Sequence, residues 1–444
     1  MTILLLILVL ISTSVLCTIS EGNLNDLSVR VEEKGKIFRL VKHPNNNLNV
    51  RSARKQYNIP NKHQKSLLQL KYQAEDYFES GEARDDTSDG EVSSPMRDLP
   101  FNGFTSVVGV GNPPQTFYCI FDTGSSVMFV NSFACDNQNC GINPQFQSAN
   151  SETYDNSNAY TETIFYGGGY LDGTVIRDSV YIETMEVQQQ DIALVTSEDD
   201  GSTPNFSCVI GLSFPELSPN GESLLFDNMI DQGLLNEALF TTYYYNDLEH
   251  ADLYFGGILD KYYEGEINYV PVQVREHWNI KVDDVLIDGV STGICSEDEG
   301  CIGLVDTGTN SNSIEGEAFD VVTNAIFGGS DLQYGFPCNM QNVDLPDISY
   351  VIGGVSYEFD YHEYTIEDFG YCQLDMFDMD VFNEPGRPSI VLGVSFLKKY
   401  FTVWDRRDAE APQMGFAVKA HLEIPYEEFY EVDAIPDNSE FESQ

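Results

Sequence analysis

The chain is short of positive charge. Across 444 residues, 23 Lys and Arg stand against 71 Asp and Glu, a formal net charge of -48. Phosphate backbones are held by clustered basic side chains, so this balance excludes nucleic acid as a partner. An anionic membrane surface is excluded by the same argument. Long apolar runs are missing beyond residue 16, which leaves no later helix able to cross a bilayer. Zinc-ligand spacing is missing too: there is no Cys-x-x-Cys pair, His250, His277 and His362 are scattered, and His421 lies near the end. The sequence therefore offers no metal site and calls for no cofactor. No Asp/Asn-rich loop has the spacing of a calcium-binding hand, so the acidity alone does not make a calcium-binding or structural protein. Lys is scarce, whereas 35 Gly, 25 Tyr and 27 Phe are present, a mixture that suits sheets better than helical bundles.

The first stretch, Met1 to Leu16, is almost wholly apolar and runs into small or polar residues at Ser14 to Thr18. It is short for a bilayer span and reads as a secretory signal peptide, residues 1–17, in preference to a membrane anchor. Secretion places the remaining eight Cys in an oxidising compartment, where an even number favours disulfides. From Thr18 to Gln73 eleven Lys and Arg face four Asp and Glu, a balance of about +7, while the acids lie downstream. A disordered arm has this composition. So does a pro-segment docked by charge onto an acidic body, with Lys62 and Lys65 as candidates to reach its active groups. Glu75 to Pro95 is acidic and Ser/Gly-rich and reads as a linker, so residues 18–95 form pro-segment plus linker. Beyond Leu99, short alternating strands such as Thr105 to Val110, Phe117 to Phe121 and Thr174 to Ile182 are punctuated by Gly, Asn and Asp. Helical periodicity is confined to pieces such as Ser223 to Gln232 and Gly316 to Ile326. The fold class is all-β with a few short helices.

An internal repeat organises this body. An apolar run ends in Asp122-Thr123-Gly124 and again in Asp306-Thr307-Gly308. Each copy is followed by an apolar-apolar-Gly-apolar-Ser-Phe segment, Val209 to Phe214 and Val391 to Phe396. Asp122 to Gly211 spans 89 positions and Asp306 to Gly393 spans 87. One Asp-Thr-Gly is an ordinary turn. Two, each paired with the same second motif, imply two homologous lobes, residues 96–275 and 276–420, each offering one Asp. Residues 421–444 form an acidic tail. Two carboxylates brought together cannot both ionise easily, so one keeps a proton. The ionised member takes a proton from water while the protonated one polarises a carbonyl, which is general acid–base catalysis. Gly124 and Gly308 allow close backbone approach. Thr123 and Thr307 can bond across to the opposite lobe, and Ser125 and Thr309 can donate to the outer carboxylate oxygens.

These residues resemble the pepsin family of aspartic proteases, and the likeness covers nearly all of Leu99 to Ala420. It is carried by Phe121-Asp122-Thr123-Gly124-Ser125-Ser126 and Val305-Asp306-Thr307-Gly308-Thr309, with Phe226-Asp227-Asn228, Phe255-Gly256-Gly257, Trp278, and Phe401 to Asp405 in order. The resemblance implies a bilobal fold with a cleft between the lobes. It implies an acid-activated endopeptidase, a monomer, acting on protein or peptide substrates and held inactive by its own pro-segment, in the extracellular space or a lysosome-like vacuole. A flap hairpin is implied over Thr163 to Gly169, with Tyr166 as its functional tyrosine and Gly167 in its tip. Ile120, Phe206 and Val209 fall at pocket positions and imply a preference for bulky hydrophobic residues; core packing would serve them equally. Implied disulfides are Cys135–Cys140, Cys295–Cys301 and Cys338–Cys372. Cys119 and Cys208 are extra, and either pair, the reading slightly favoured, or remain buried thiols. Asn205-Phe206-Ser207 is a glycosylation sequon.

Three positions depart from the family pattern. Phe129 stands where a Trp usually bonds the flap tyrosine, Val394 where an Asp usually follows Leu-Gly, and Asn310 where a Ser is common. A dead homologue that binds peptides without cutting them is the competing reading. Both Asp and both Gly are retained here, which favours chemistry.

Overall fold

The structure is a computed structural model. It describes residues 90–422 except 100–102, 136–143, 167–168, 199–206, 247–249, 341–342, 369, 383 and 385, together with three strands between residues 16 and 41. Two units are distinguished, residues 1–73 and 74–444. In the first, Leu16–Ile19, Ser28–Glu33 and Lys36–Val41 form an antiparallel sheet with Ser28–Glu33 in the middle. The signal-peptide reading, Lys62 and Lys65, and all but the first residues of the acidic tail lie outside the described residues.

The second unit is built from strands. Helices are short: Leu225–Asp231, Gly316–Phe327 and Val394–Leu397. The expected strands are present and longer than their sequence signals, as Gly103–Val110, Gln115–Asp122 and Gly169–Ile182. Gln115–Asp122 shows why. Its middle, Phe117 to Phe121, is buried throughout, because neighbours cover both of its faces, so it reads as a continuous apolar run.

The duplication read from sequence is a duplication of topology. Gln115–Asp122 lies parallel to Cys208–Gly211, which lies antiparallel to Phe129–Asn131, which in turn pairs parallel with Met185–Glu198. Cys301–Val305 lies parallel to Ser389–Leu392, which lies antiparallel to Asn312–Ile314, which pairs parallel with Met376–Asp378. Each half thus repeats one four-strand motif, and each Asp sits where the first strand meets its loop.

The halves are joined by a shared sheet. Leu239–Tyr244 pairs with Tyr400–Asp405, and Tyr263–Pro271 pairs with Gln413–Lys419, so the last strands of the chain complete a thirteen-stranded sheet begun in its first half. The chain's two Trp, both fully buried, mark this junction. Phe240 stacks on Trp404 at 5.1 Å and meets Trp278 edge-on at 5.9 Å. Trp278 donates its indole N–H to the Leu212 carbonyl at 2.8 Å. Arg406 grips Asp227 with two bonds of 2.7 and 2.9 Å, little exposed on either side.

One boundary needs correction. Residues 92–95, read as linker, belong to the strand Val92–Leu99, which pairs with His250–Phe255 inside the shared sheet. Val92, Ser93 and Ser94 are buried. The anchoring starts earlier still: the Gly90 carbonyl accepts from Asn236 N–H at 2.8 Å, and Tyr254 donates to Glu91 at 2.6 Å. Ser and Pro look like linker residues by composition, but a partner strand satisfies their backbone here. The folded body therefore begins by Gly90, six residues before the expected boundary.

Candidate active site

Asp122 ends the strand Gln115–Asp122, and Asp306 follows Cys301–Val305 directly. Behind each strand the second motif closes the loop. Leu212 N–H donates to the Asp122 carbonyl at 2.8 Å and Ser213 N–H to Ser125 at 2.9 Å; in the other half Val394 N–H donates to Thr309 at 2.8 Å and Ser395 N–H to Asn310 at 3.0 Å. That is why the two motifs keep nearly equal spacing in sequence.

The two loops lock onto each other through their threonines. Thr123 N–H donates to Thr307 Oγ1 at 3.0 Å, and Thr307 N–H to Thr123 Oγ1 at 3.0 Å. Each hydroxyl then donates to a carbonyl of the opposite strand, Thr123 to Val305 at 2.9 Å and Thr307 to Phe121 at 2.6 Å. Thr123 is wholly buried, and Thr307 nearly so. Four buried hydrogen bonds fix the spacing between loops that stand 184 residues apart in sequence.

Each carboxylate is bound by the same pair of donors. Gly124 N–H donates to Asp122 Oδ1 at 2.9 Å and Ser125 Oγ to Oδ2 at 2.5 Å. Gly308 N–H donates to Asp306 Oδ1 at 2.8 Å and Thr309 Oγ1 to Oδ2 at 2.5 Å. The glycines are required by contact with the opposite half. A methyl group on Gly124 would lie 2.8 Å from Asp306 Oδ1, and one on Gly308 only 2.2 Å from Asp122 Oδ1. Burial and the charge of Asp306 push the Asp122 carboxyl up to about 7, against the pull of its Ser125 and Gly124 bonds. Asp122 is thereby biased toward its protonated form, as expected where two carboxyls crowd one buried site.

Residues around the pair fall as follows. Asp155–Tyr166 and Gly169–Ile182 form a long hairpin, with Tyr166 paired to Gly169, where the flap was expected. Its tip, Gly167 included, lies outside the described residues, as does Phe206. Ile120 and Val209 pair side by side on adjacent strands and are buried with Val127, Phe129, Leu171 and Val175 in an apolar cluster, which fits core packing. Val394 is buried in the main core. Disulfides link Cys119–Cys208, Cys295–Cys301 and Cys338–Cys372. Cys135 is disulfide-bonded, and its expected partner Cys140 is outside the described residues. Among the described residues, no cluster of His, Cys, Asp and Glu could hold a metal ion, and no helix is long and apolar enough to cross a membrane.

His277 was missed as a site residue. Its ring is half-buried near the Gly124 backbone and the Asp306 charge, edge-on to Phe382 at 5.6 Å. Nδ1 is buried with no partner among the described residues. Burial lowers its pKa, against the pull of Asp306. The available signal was its place immediately before Trp278, a residue already tied to the fold.

Two mirrored loops presenting paired carboxylates between strand-rich lobes define the class of aspartic proteases. Residues 103–419 match the family model described as eukaryotic aspartyl protease, and the chain belongs to that family. It is 30% identical to human gastricsin over 321 residues, 70% of this chain and 80% of that one. Bovine pepsin A is 32% identical over 316 residues, covering 70% and 84%. Cathepsin E-B of Xenopus laevis is 33% identical over 329 residues, covering 72% and 81%. The chain is an aspartic endopeptidase, a hydrolase of peptide bonds.

Proposed function

We propose that Asp122 and Asp306 share one proton and cleave peptide bonds by activating a water between them. The reciprocal lock carries this reading: each loop's glycine yields space to the other loop's carboxylate. The ionised carboxylate takes a proton from water, the water oxygen attacks the peptide carbonyl carbon, and the protonated carboxyl gives its proton to the carbonyl oxygen. The first carboxyl then gives its new proton to the leaving nitrogen while the second takes one back from a hydroxyl of the tetrahedral intermediate; the C–N bond breaks, the carboxyl product forms and the pair again holds one proton. With the Asp122 carboxyl held up to about 7, activity extends from the acid range toward neutrality and falls above it.

An extended substrate lies across the cleft under the hairpin, with bulky hydrophobic side chains flanking the scissile bond, the preference that the family resemblance at Ile120, Phe206 and Val209 implies. The basic segment from Thr18 to Gln73 acts as a pro-segment. Ionised carboxylates on the body hold it near neutral pH through many contacts of about 0–1 kcal/mol each, and their protonation near pH 4 releases it. Cleavage falls between Glu75 and Gly90, since the chain is anchored from Gly90 onward. A monomer working in the extracellular space or an acidic vacuole fits this device.

Purified precursor incubated with denatured protein across acid pH is expected to convert and cleave, and a statine-type inhibitor, whose hydroxyl replaces the attacking water, to stop it. Inhibition by serine, cysteine or metal reagents instead would refute the mechanism. High salt at neutral pH is expected to weaken the hold of the pro-segment, because exposed charges are screened. A precursor fully active at neutral pH would refute that hold.

A further inference from the structure

A second carboxyl pair, distinct from the dyad, lies in the outer half of the flap hairpin. In the strand Asp155–Tyr166, Glu162 is the one described side chain that is buried, with 8% exposure. Neither of its oxygens has a well-formed hydrogen bond among the described residues, and the one donor near them is the Asn220 side chain, whose pull is weaker than burial and the Glu222 charge. Beside it lies Glu222, also buried. Glu222 is bonded as an ionised acceptor: the Tyr160 hydroxyl donates to one oxygen, and the Ser218 hydroxyl and Asn220 N–H, the latter at 3.1 Å, donate to the other. Two adjacent buried carboxylates without a cation repel, whereas one proton on Glu162 turns it into a donor to Glu222. Among the described residues neither pairs with Lys or Arg. The neighbouring charges are already matched: Asp191 accepts from Arg177 at 2.8 Å and from Ser223, and Asp155 lies near Arg177.

The pair joins a hairpin to a fixed base. The loop carrying Glu222 is tied to Met185–Glu198, where Ser223 N–H and Oγ both bond Asp191 at 2.9 Å and Gln190 donates to the Ser223 carbonyl at 2.6 Å. Glu162 stands four residues before Tyr166 in its strand. Alternation puts Tyr160, Glu162 and Ile164 on one face, and Ile164 packs on the cluster holding Ile120 and Val209.

We infer that Glu162 and Glu222 form a proton-sharing latch that positions the flap hairpin, engaged while the pair holds one proton and released when both members ionise. The inference rests on the proposed function only in taking this hairpin as the flap. Burial and the Glu222 charge push Glu162 up to about 7, while the Ser218 and Tyr160 hydroxyls, working against burial, hold Glu222 down to about 2. Glu162 contributes stability that is full below its ordinary 4.5 and is lost as pH rises through about 7. Glu222 contributes above its ordinary 4.5 and is lost toward about 2, so the latch is engaged between these limits.

The test uses the full chain carrying Asp122→Asn, which prevents self-cleavage. Amide exchange of residues 159–164 is followed at pH 5 and pH 8 and corrected for intrinsic rates. Protection is expected to fall roughly tenfold or more at pH 8 with Glu162 present, and to change less than about twofold with Glu162→Gln, whose amide donates at every pH. Equal pH dependence in the two proteins overturns the latch. A carbon-13 titration of Glu162 gives an independent check should the variant fold poorly. A midpoint near 7 supports the latch, and one within about a unit of its ordinary value refutes it. In the active enzyme, Glu162→Gln is expected to lower KM near pH 7 with little change in kcat, and a change in kcat alone counts against it. Absence of cleavage by the unmodified enzyme would speak against the catalytic dyad and not the latch, since exchange and titration need no catalysis.

Discussion

The two halves of this protease present their aspartates on loops with matching hydrogen bonds, yet they brace those loops differently. In the first half Cys119 and Cys208 pair in register on adjacent strands, three residues before Asp122 and Gly211, and are joined by a disulfide. The corresponding register pair in the second half is Gly303 and Ile390, with no covalent link. The first half also carries a hairpin with strands of 12 and 14 residues, while Ile348–Ile352 and Val355–Phe359 make a hairpin of only five residues a side. Asp306 is buried, and Asp122 is the more open member. The duplicated part is what both carboxylates need. On the function proposed above, the asymmetric part lies where the hairpin would cover substrate and where that hairpin needs a rigid base.

The largest effects probe the symmetry. Asp122→Asn and Asp306→Asn are each expected to lower kcat/KM roughly 10²–10⁴-fold or more with the fold intact, because either change removes half of a shared-proton pair. Retained cleavage in one of them, measured with a peptide substrate and circular dichroism as the fold control, would break the equivalence of the halves. Gly308→Ala and Gly124→Ala come next. A displacement of about 1 Å costs on the order of 10²-fold. Gly308→Ala is expected to be the worse, because its methyl would lie 2.2 Å from a carboxylate oxygen against 2.8 Å for Gly124. Equal losses in kcat would mean that the loops yield alike.

How much of this was legible depends on the range of the interaction. The Asp-Thr-Gly loops, the threonine cross-bonds and the hydroxyl donors at Ser125 and Thr309 were readable because each role is fixed by residues within three positions of an Asp. The shared sheet was not. Tyr400–Asp405 is an unremarkable apolar strand, and nothing local states that its partner is Leu239–Tyr244. Val92–Leu99 was half lost to the linker because Ser93, Ser94 and Pro95 lack apolar alternation; the partner strand supplies their order. Glu162 sits in a strand of mostly exposed polar residues, where a carboxylate reads as solvent-facing. Only the loop holding Glu222, folded in from 60 residues away, makes it a buried member of a pair.

Smaller effects sharpen the asymmetry. Cys119→Ala with Cys208→Ala opens an 89-residue loop and is expected to cost about 2–4 kcal/mol in denaturant unfolding. The matching change at Cys295 and Cys301 opens a loop of six and is expected to cost less. The reverse order would show that the first half does not depend on its extra bridge. His277→Gln is expected to move the melting temperature by roughly 1–2 °C, with a particular sign. Its pKa is lowered by burial, so wild type loses stability as pH falls below the ordinary 6.5 and the Gln variant gains relative to it in acid. A difference independent of pH would mean that His277 acts through packing alone.

The shared sheet has a consequence for how the chain is made. Leu239 waits for Asp405, and Tyr263 for Lys419, before their strand edges are paired. At about 5–20 residues per second, the ribosome needs roughly ten to thirty seconds to deliver those partners. Over that interval the first half emerges with the six-residue edge of Leu239–Tyr244 unpaired. A nascent chain stopped before residue 400 is thus left permanently with the edge that its own last strands should cover, and it is expected to collect in aggregates or on chaperones and not to accumulate as a stable single lobe.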